Sequence, residues 1–458
     1  MKGEADAALE GLEPIEKARP QIDRAVMAKD ALLLEQDGIS SEVRRIPKPP
    51  ARWSRWLRVL GPGLIAAAAG NDAGGIATYS AAGAQFGYDL LWVMVVLIVP
   101  LCFVQEACAR LGAATGRGLL DLIRERFGWN WSLFAILVVL IANGGLMVSE
   151  FVGLGEAAEI LGVSRLLAVP LAAGLLWALI YFWSYARVEK ILLLLTLVFL
   201  VYPLAAWMGH PHPGDLLHGA FVPHLRSDPQ FVMLFVALLG TTITPYMQVY
   251  QQSAIVEQGS YRRKYGPERL DAYLGSFLSN LMSISMMVAT AATLHGPGKT
   301  RIESAAQAAR ALEPVVGKAA GTLFSVGLLG ATALAAAVLA LSTAYAVTET
   351  LGATKGVDLD FRRAPTFFSL FTLLLGLGAV GALLPGLPVM PLLVGVQVLN
   401  GGLLPIILVF VMLLSSDALL MGELQNTRLQ KWIGWTTIVC VSTAVCCLFA
   451  LQWKTGLS

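Results

Sequence analysis

Charge is what this chain has least of. Of its 458 residues 14% are charged, where a soluble domain carries about 25%. The formal net charge is +2, so no nucleic-acid partner is implied. Cysteine is scarce as well. Cys102, Cys108, Cys440, Cys446 and Cys447 all fall in or beside apolar runs. Their spacing offers neither a zinc site nor a disulfide framework. No apolar run begins before residue 50, so no secretory signal peptide is expected. No nucleophile–base pair stands out, and neither an enzyme nor a resident cofactor is expected.

What is present is apolar length. Hydrophobic residues make up 56% of the chain, and a membrane-crossing helix needs about 20 of them in a row. Such runs lie near 57–85, 88–112, 132–162, 165–184, 188–208, 230–257, 269–295, 319–351, 365–385, 389–415 and 432–452. The expected fold is therefore an all-α membrane protein of about eleven transmembrane helices. Residues 1–52 read as a polar cytosolic tail with a short amphipathic helix around residues 20–36. Residues 53–454 read as the transmembrane domain, with the lipid bilayer as its partner. Basic residues crowd alternate loops: the segment 44–52, then Arg117, Arg124 and Arg126, Arg187 and Lys190, Arg262 to Lys264 with Arg269, Arg362 and Arg363, and Arg428 with Lys431. Such loops stay in the cytoplasm, which places the N-terminus inside and the C-terminus outside. The opposite side has one exception, a longer loop with Lys299, Arg301, Arg310 and Lys318. The outer loop at 210–229 holds His210, His212, His218 and His224, an ordinary polar loop or a metal-gathering one.

The first apolar run is interrupted. In Ala66–Ala82, Asp72 sits close to mid-membrane, flanked by Asn71 and crowded by Gly70, Gly74 and Gly75. A charge at that depth costs about 2.5–3.5 kcal/mol even on insertion-based scales. Each glycine weakens a helix by about 1 kcal/mol relative to alanine. Carbonyls freed by a broken helix persist at mid-membrane only where they line a cavity or hold a ligand. One carboxylate with bare carbonyls suits a hard cation. The plainer alternative is a kinked span whose Asp pairs with Arg or Lys.

The sixth run is interrupted too, at Gly240-Thr241-Thr242-Ile243-Thr244-Pro245-Tyr246-Met247-Gln248. Pro245 removes a backbone donor and clashes with the carbonyl one turn back. Broken helices at matching positions, five spans apart, point to a transporter built from inverted repeats with its substrate between the breaks. The alternative is one Pro kink and one Gly-rich packing face, unrelated to each other.

Particular residues then carry a family resemblance. Gly61-Pro62, Asp72, Ile76-Ala77-Thr78 and Gly83 through Trp92 resemble the first span of the Nramp divalent-metal transporters. Gln105, Ala109-Arg110-Leu111-Gly112 and Thr115-Gly116 resemble the end of the second. Glu150-Phe151-Val152-Gly153 resembles the third; Asp271 and Asn280 fit the seventh, Leu312-Glu313-Pro314 the loop before the eighth, Gln397 and Pro405 the tenth, and Ser416-Asp417 with Leu420-Met421-Gly422 its end. The resemblance implies the leucine-transporter-like fold, two inverted five-helix repeats plus one extra helix, with the first and sixth helices broken.

The chain also departs from the family. Its Asp-Pro-Gly-Asn signature reads Asp72-Ala73-Gly74-Gly75 here, so the Asn ligand is gone. Its Ala-x-x-Met-Pro-His signature reads Thr241-Thr242-Ile243-Thr244-Pro245-Tyr246, a hydroxyl for the thioether and a phenol for the imidazole. An Asp three residues before Glu150 is replaced by Met147. Thioethers favour soft metals, and oxygen ligands suit magnesium, calcium and manganese. Magnesium keeps its waters, so a roomier oxygen site suits it. Such altered sequences resemble the Nramp-related magnesium transporters.

The resulting expectation is a secondary transporter that imports a divalent cation, Mg2+ or Mn2+ favoured, across the inner membrane by alternating access. Asp72, the carbonyls of Ala69 and Thr241, Thr244 and Gln397 would hold the metal. Asn71, Gly75, Tyr246, Gln248 and Glu150 would surround or gate it. Glu156 and Glu159 belong to an outer vestibule or a solvated helix end, and Glu106 and Asp417 to gates or packing near the cytoplasm. Protons are a further candidate partner. Met147 and Tyr246 do not titrate near neutral pH, which leaves Glu150 and favours transport uncoupled or weakly coupled to protons. The rivals are a proton-coupled carrier of soft metals such as Mn, Fe and Cd, a sodium-coupled carrier of an organic solute, against which Asp72 argues, and a membrane enzyme.

Overall fold

The structure, a computed structural model, describes residues 61–259, 265–295, 302, 307 and 320–455. The expected tail 1–52 with its helix and basic end, Arg262 to Lys264, the outer-loop cations Lys299, Arg301, Arg310 and Lys318, and the Leu312-Glu313-Pro314 match lie outside the described residues. Every regular element among the described residues is helical.

The first span is two half-helices, α1 (Pro62–Ala69) and α2 (Ala73–Phe86). The second span is α3 (Leu91–Thr115), followed by a short α4 (Leu119–Phe127). The third and fourth are α5 (Trp129–Ile160) and α6 (Arg165–Phe182). The fifth is assembled from α7 (Tyr185–Thr196), a 3-10 turn (Leu197–Leu200) and α8 (Val201–Met208). After a short helix α9 (Pro213–Phe221), the sixth is again two half-helices, α10 (Pro229–Thr242) and α11 (Pro245–Glu257). The rest are α12 (Tyr265–Leu294), α13 (Ala320–Leu351), α14 (Pro365–Ala382) and α15 (Val389–Ser415). A one-turn α16 (Ala418–Met421) precedes the last span, α17 (Arg428–Thr455).

Nine helices among the described residues are long and apolar enough to cross a membrane, the sixth span counted through its break. With the first and fifth spans, which are built from shorter pieces, the chain is the multi-pass membrane protein of eleven spans that its apolar runs imply. Periodicity did not reveal α4, α9 or the break in the fifth span. That break has a local cause: Pro203 lacks the N–H that the carbonyl of Phe199 would receive, and the backbone tightens into a 3-10 turn just ahead of it.

Both central breaks follow from their residues. Gly70 closes α1, and Asp72 opens α2 as its N-cap, with extended backbone and a side chain that accepts the Gly75 N–H. Thr244 precedes Pro245 and is driven into the extended region (φ −92°, ψ 146°). The sixth and eighth spans are mostly buried, whereas the fourth and eleventh are largely exposed. Leu166 and Phe182 of the fourth span and Trp453 of the eleventh are exposed, as expected of surfaces that face lipid chains.

The start of α1 is held by the seventh span. The Asp271 carboxylate takes the N–H groups of Gly61 at 2.9 Å, Gly63 at 2.6 Å and Leu64 at 3.3 Å. Only glycine fits this crossing. A Cβ on Gly275 would lie 2.6 Å from the Leu64 backbone, and one on Gly63 2.7 Å from Asp271.

Candidate functional site

Asp72 lies where the two broken spans meet, and it is fully buried. Its Oδ1 accepts the Gly75 N–H at 2.5 Å and the Gln397 amide at 2.8 Å, and Gln397 in turn accepts from Asn400 at 3.1 Å. Its Oδ2 has no hydrogen-bond partner among the described residues. No Lys, Arg or His there is within ion-pair distance of it, so the kinked span with a basic partner is not what the fold builds. Glu150 reaches in from α5 and accepts the Ala73 N–H at 3.1 Å through Oε2, while its Oε1 is also unpartnered. Two carboxylates therefore face the first amides of α2, where the helix end carries partial positive charge.

The carbonyls around Asp72 are already engaged. Tyr246 donates its hydroxyl to the Ala69 carbonyl at 2.6 Å, and Thr241 donates to the Gly70 carbonyl at 3.3 Å. Thr244 is buried at the start of α11, its hydroxyl unpartnered among the described residues. Asn71 turns to the seventh span, donating to the Ser279 hydroxyl at 3.0 Å and accepting from Ser283 at 2.6 Å. Gln248 lies one turn below Thr244 with both amide atoms unpartnered. Thus Asp72, Gly75, Gln397, Thr241, Thr244, Glu150, Tyr246 and Ala69 come together around one point, while Asn71 faces away from it.

The space is kept by glycines. A Cβ on Gly75 would sit 2.7 Å from both the Gly70 carbonyl and the Thr241 hydroxyl. At Gly74 it would run into Gln397. Met247 lays its methyl where a Gly70 Cβ would go, and its sulfur receives the Gln105 amide at 3.5 Å. That thioether is turned toward α3. The free acceptors, Asp72 Oδ2, Glu150 Oε1 and Thr244 Oγ1, are all oxygens and suit a hard cation. Above the site a cavity of about 420 Å³ opens between α2, α10 and α15, lined by Ala81, Gln85, Gln230, Met233, Met390 and Val394.

Other acidic residues named from the sequence are placed elsewhere. Glu159 pairs with exposed Arg165 at 2.6 Å, and Asp417 with Arg126 at 2.7 Å. Glu106 joins Arg110 at 2.9 Å, with Tyr265 and Gln430 also donating to it. The rings of His218 and His224 lie 5.1 Å apart at a tilt of 50°, and no group of three or more potential ligands that could hold a metal occurs among the described residues. Sequence reading passed over Glu349, buried near the C-terminal end of α13. It accepts Leu120 N–H at 3.1 Å, the Ser253 hydroxyl at 2.7 Å and the Lys355 ammonium at 3.0 Å. Its signal was a lone carboxylate closing a long apolar run.

Residues 63–451 match the Nramp family, described as natural resistance-associated macrophage protein-like. The chain belongs to that family. A divalent metal cation transporter, MntH of Klebsiella pneumoniae, is 30% identical over 397 residues, covering 84% of this chain and 92% of the relative. Among solved structures, the Eremococcus coleocola manganese transporter in complex with an aromatic bis-isothiourea compound superposes with a TM-score of 0.71 at 18% identity, over 89% of each chain. MhsT in complex with L-phenylalanine gives 0.52 at 19% identity, over 85% of this chain and 98% of the other. At these identities the two likenesses speak to the fold, which is the leucine-transporter-like one.

Proposed function

We propose that this protein imports a divalent cation, Mg2+ or Mn2+ in preference to softer metals, by alternating access about Asp72. The observation that carries the reading is the Asp72 carboxylate, buried between two broken spans with one oxygen unfilled. MntH of the relatives is a divalent metal cation transporter by name, and the free donor atoms here are oxygens without a thioether among them. Asp72 supplies the charge; Gln397, turned so that its carbonyl faces inward, and Thr244 supply neutral oxygens. Breaking the Tyr246 bond would free the Ala69 carbonyl as a further ligand. The cation enters from the cavity above the site and leaves toward the side of the basic loops, taken as cytoplasmic.

Transport is uncoupled from protons or only weakly coupled. Met147 and Tyr246 carry no titrating group near neutral pH, and Tyr246 spends its hydroxyl on a backbone carbonyl. The membrane potential alone is worth about 4.6 kcal/mol for a divalent ion at about 100 mV, enough to drive accumulation. The test is uptake into sealed proteoliposomes with Mg2+, Mn2+, Ca2+ and Cd2+ in competition and a pH-sensitive dye inside. Uptake of Mg2+ or Mn2+ without matching acidification is expected. Cd2+ outcompeting both at low concentration, with proton influx in proportion to metal, would establish the soft-metal, proton-coupled carrier instead.

A further inference from the structure

Below the site, the inner half of the sixth span has a face made of amides. Gln248, Gln251 and Gln252 fall four, seven and eight residues after Thr244, which puts all four on one side of α11. Each is fully buried. The neighbouring helix α3 adds Gln105, whose amide touches Met247, and α15 adds Asn400, already linked through Gln397 to Asp72. At the far end Gln252 donates to the Arg117 carbonyl at 2.9 Å, where α3 has just ended.

These side chains are not satisfied by one another. The carbonyl oxygens of Gln105, Gln248, Gln251, Gln252 and Asn400 have no hydrogen-bond partner among the described residues, and neither do the amide nitrogens of Gln248 and Gln251. The large majority of buried polar groups in folded proteins are paired, and each one left unpaired costs about 1–3 kcal/mol. The surplus also has a sign. Among atoms with no partner at all, five carbonyl oxygens stand against two amide nitrogens, and the Thr244 hydroxyl can serve either way. The fitting occupant is one whose outer surface consists of donors.

A cation that keeps its waters is such an occupant, since every water in its shell points its hydrogens outward. We infer that the amide face of α11, completed by Gln105 and Asn400, is a second binding station on the inner side of Asp72 that takes the divalent cation with its hydration shell. The inference rests on the proposed function and adds to it how the ion leaves. Neutral oxygens hold the shell through its waters without a charge to trap it, so the ion passes from a carboxylate to carbonyls and then out.

The test replaces Gln248 and Gln251 with leucine, singly and together, since leucine is close in size and removes only the amides. Mn2+ binding, proteoliposome uptake of Mg2+ and Mn2+, and thermal unfolding are measured on each variant and on the wild type. The expected result is uptake at least tenfold slower in the double variant with a melting temperature at or above that of wild type, and recovery of uptake in Gln251→Asn relative to Gln251→Leu. Unchanged uptake in the double variant, whatever its melting temperature, would overturn the inference, and so would slower uptake that only tracks a loss of folded protein. A wild type that neither binds nor moves either ion would instead overturn the proposed function, an outcome that the leucine variants cannot mimic.

Discussion

Asp72 and Glu349 are both fully buried carboxylates, and their surroundings treat them in opposite ways. Glu349 is surrounded by donors: a backbone amide, a serine hydroxyl and a lysine ammonium close on its two oxygens. Asp72 has one oxygen occupied and the other bare, with no basic side chain in reach among the described residues. The first arrangement spends its electrostatics on joining α4, α11 and α13. The second leaves its electrostatics unspent, which is what the proposed function requires of a cation site. Glu349 holds helices together, and Asp72 is the carboxylate that the proposed function assigns to the cation.

The strongest way to break that contrast is to neutralise each carboxylate in turn. Asp72→Asn is expected to lower uptake at least about 100-fold, the equivalent of about 2.8 kcal/mol, while the melting temperature stays level or rises. Wild-type uptake by a well-expressed Asp72→Asn protein would remove this site from consideration. Glu349→Gln is expected to do the reverse: a loss of about 1.5–3 kcal/mol of stability, the worth of hydrogen bonds to a charged group, with residual uptake scaling with the folded fraction. If scanning calorimetry shows Asp72→Asn to be the more damaging of the two, the contrast fails.

Smaller changes sharpen it. Gly75→Asn puts back the residue type that the family carries at this position. Its Cβ meets the Gly70 carbonyl and the Thr241 hydroxyl at 2.7 Å, so overpacking of about 1–3 kcal/mol is expected, read as a lower melting temperature and slower uptake. A Gly75→Asn protein as stable as wild type would mean that this space is not held open by glycine. The smallest effect is expected from Thr244→Met, which offers a thioether where a hydroxyl is free. Competition assays should show the cadmium-to-magnesium preference rising about threefold, the equivalent of about 0.7 kcal/mol, because a thioether favours the softer ion. A ratio that does not move would show that Thr244 does not face the ion.

Much of this was legible in the chain. Asp72 among glycines and Pro245 after three threonines announced both breaks, because backbone propensity acts locally and a charge in an apolar run has few reasons to be there. Gln397 was legible only through the family resemblance; nothing near it in sequence says that it reaches Asp72 from 325 residues away. Asn71 shows the limit of proximity. It adjoins Asp72 in the chain, yet the unwound turn points it at Ser279 and Ser283. The engagement of Glu150 with the first amide of α2 was hidden for the same reason, since it depends on how α5 crosses the break. Glu349 and the amide face of α11 were visible as letters, but unpaired atoms can be recognised only after packing has placed every potential partner.

The grip of Asp271 on the start of α1 has a consequence for timing. Eight helical residues make a rod about 12 Å long, stiff within itself and joined to α2 by an unwound turn. In a carrier that opens inward by swinging this rod, the clamp at its tip must release before anything moves. Each charge-assisted bond not replaced during the swing, at about 1.5–3 kcal/mol, slows the step about tenfold or more. Asp271 would then act as an escapement, letting the rod go at intervals and returning it to the same notch. The pace of the whole cycle would be set by an aspartate and a glycine 210 positions apart, at a distance from the ion that the cycle serves.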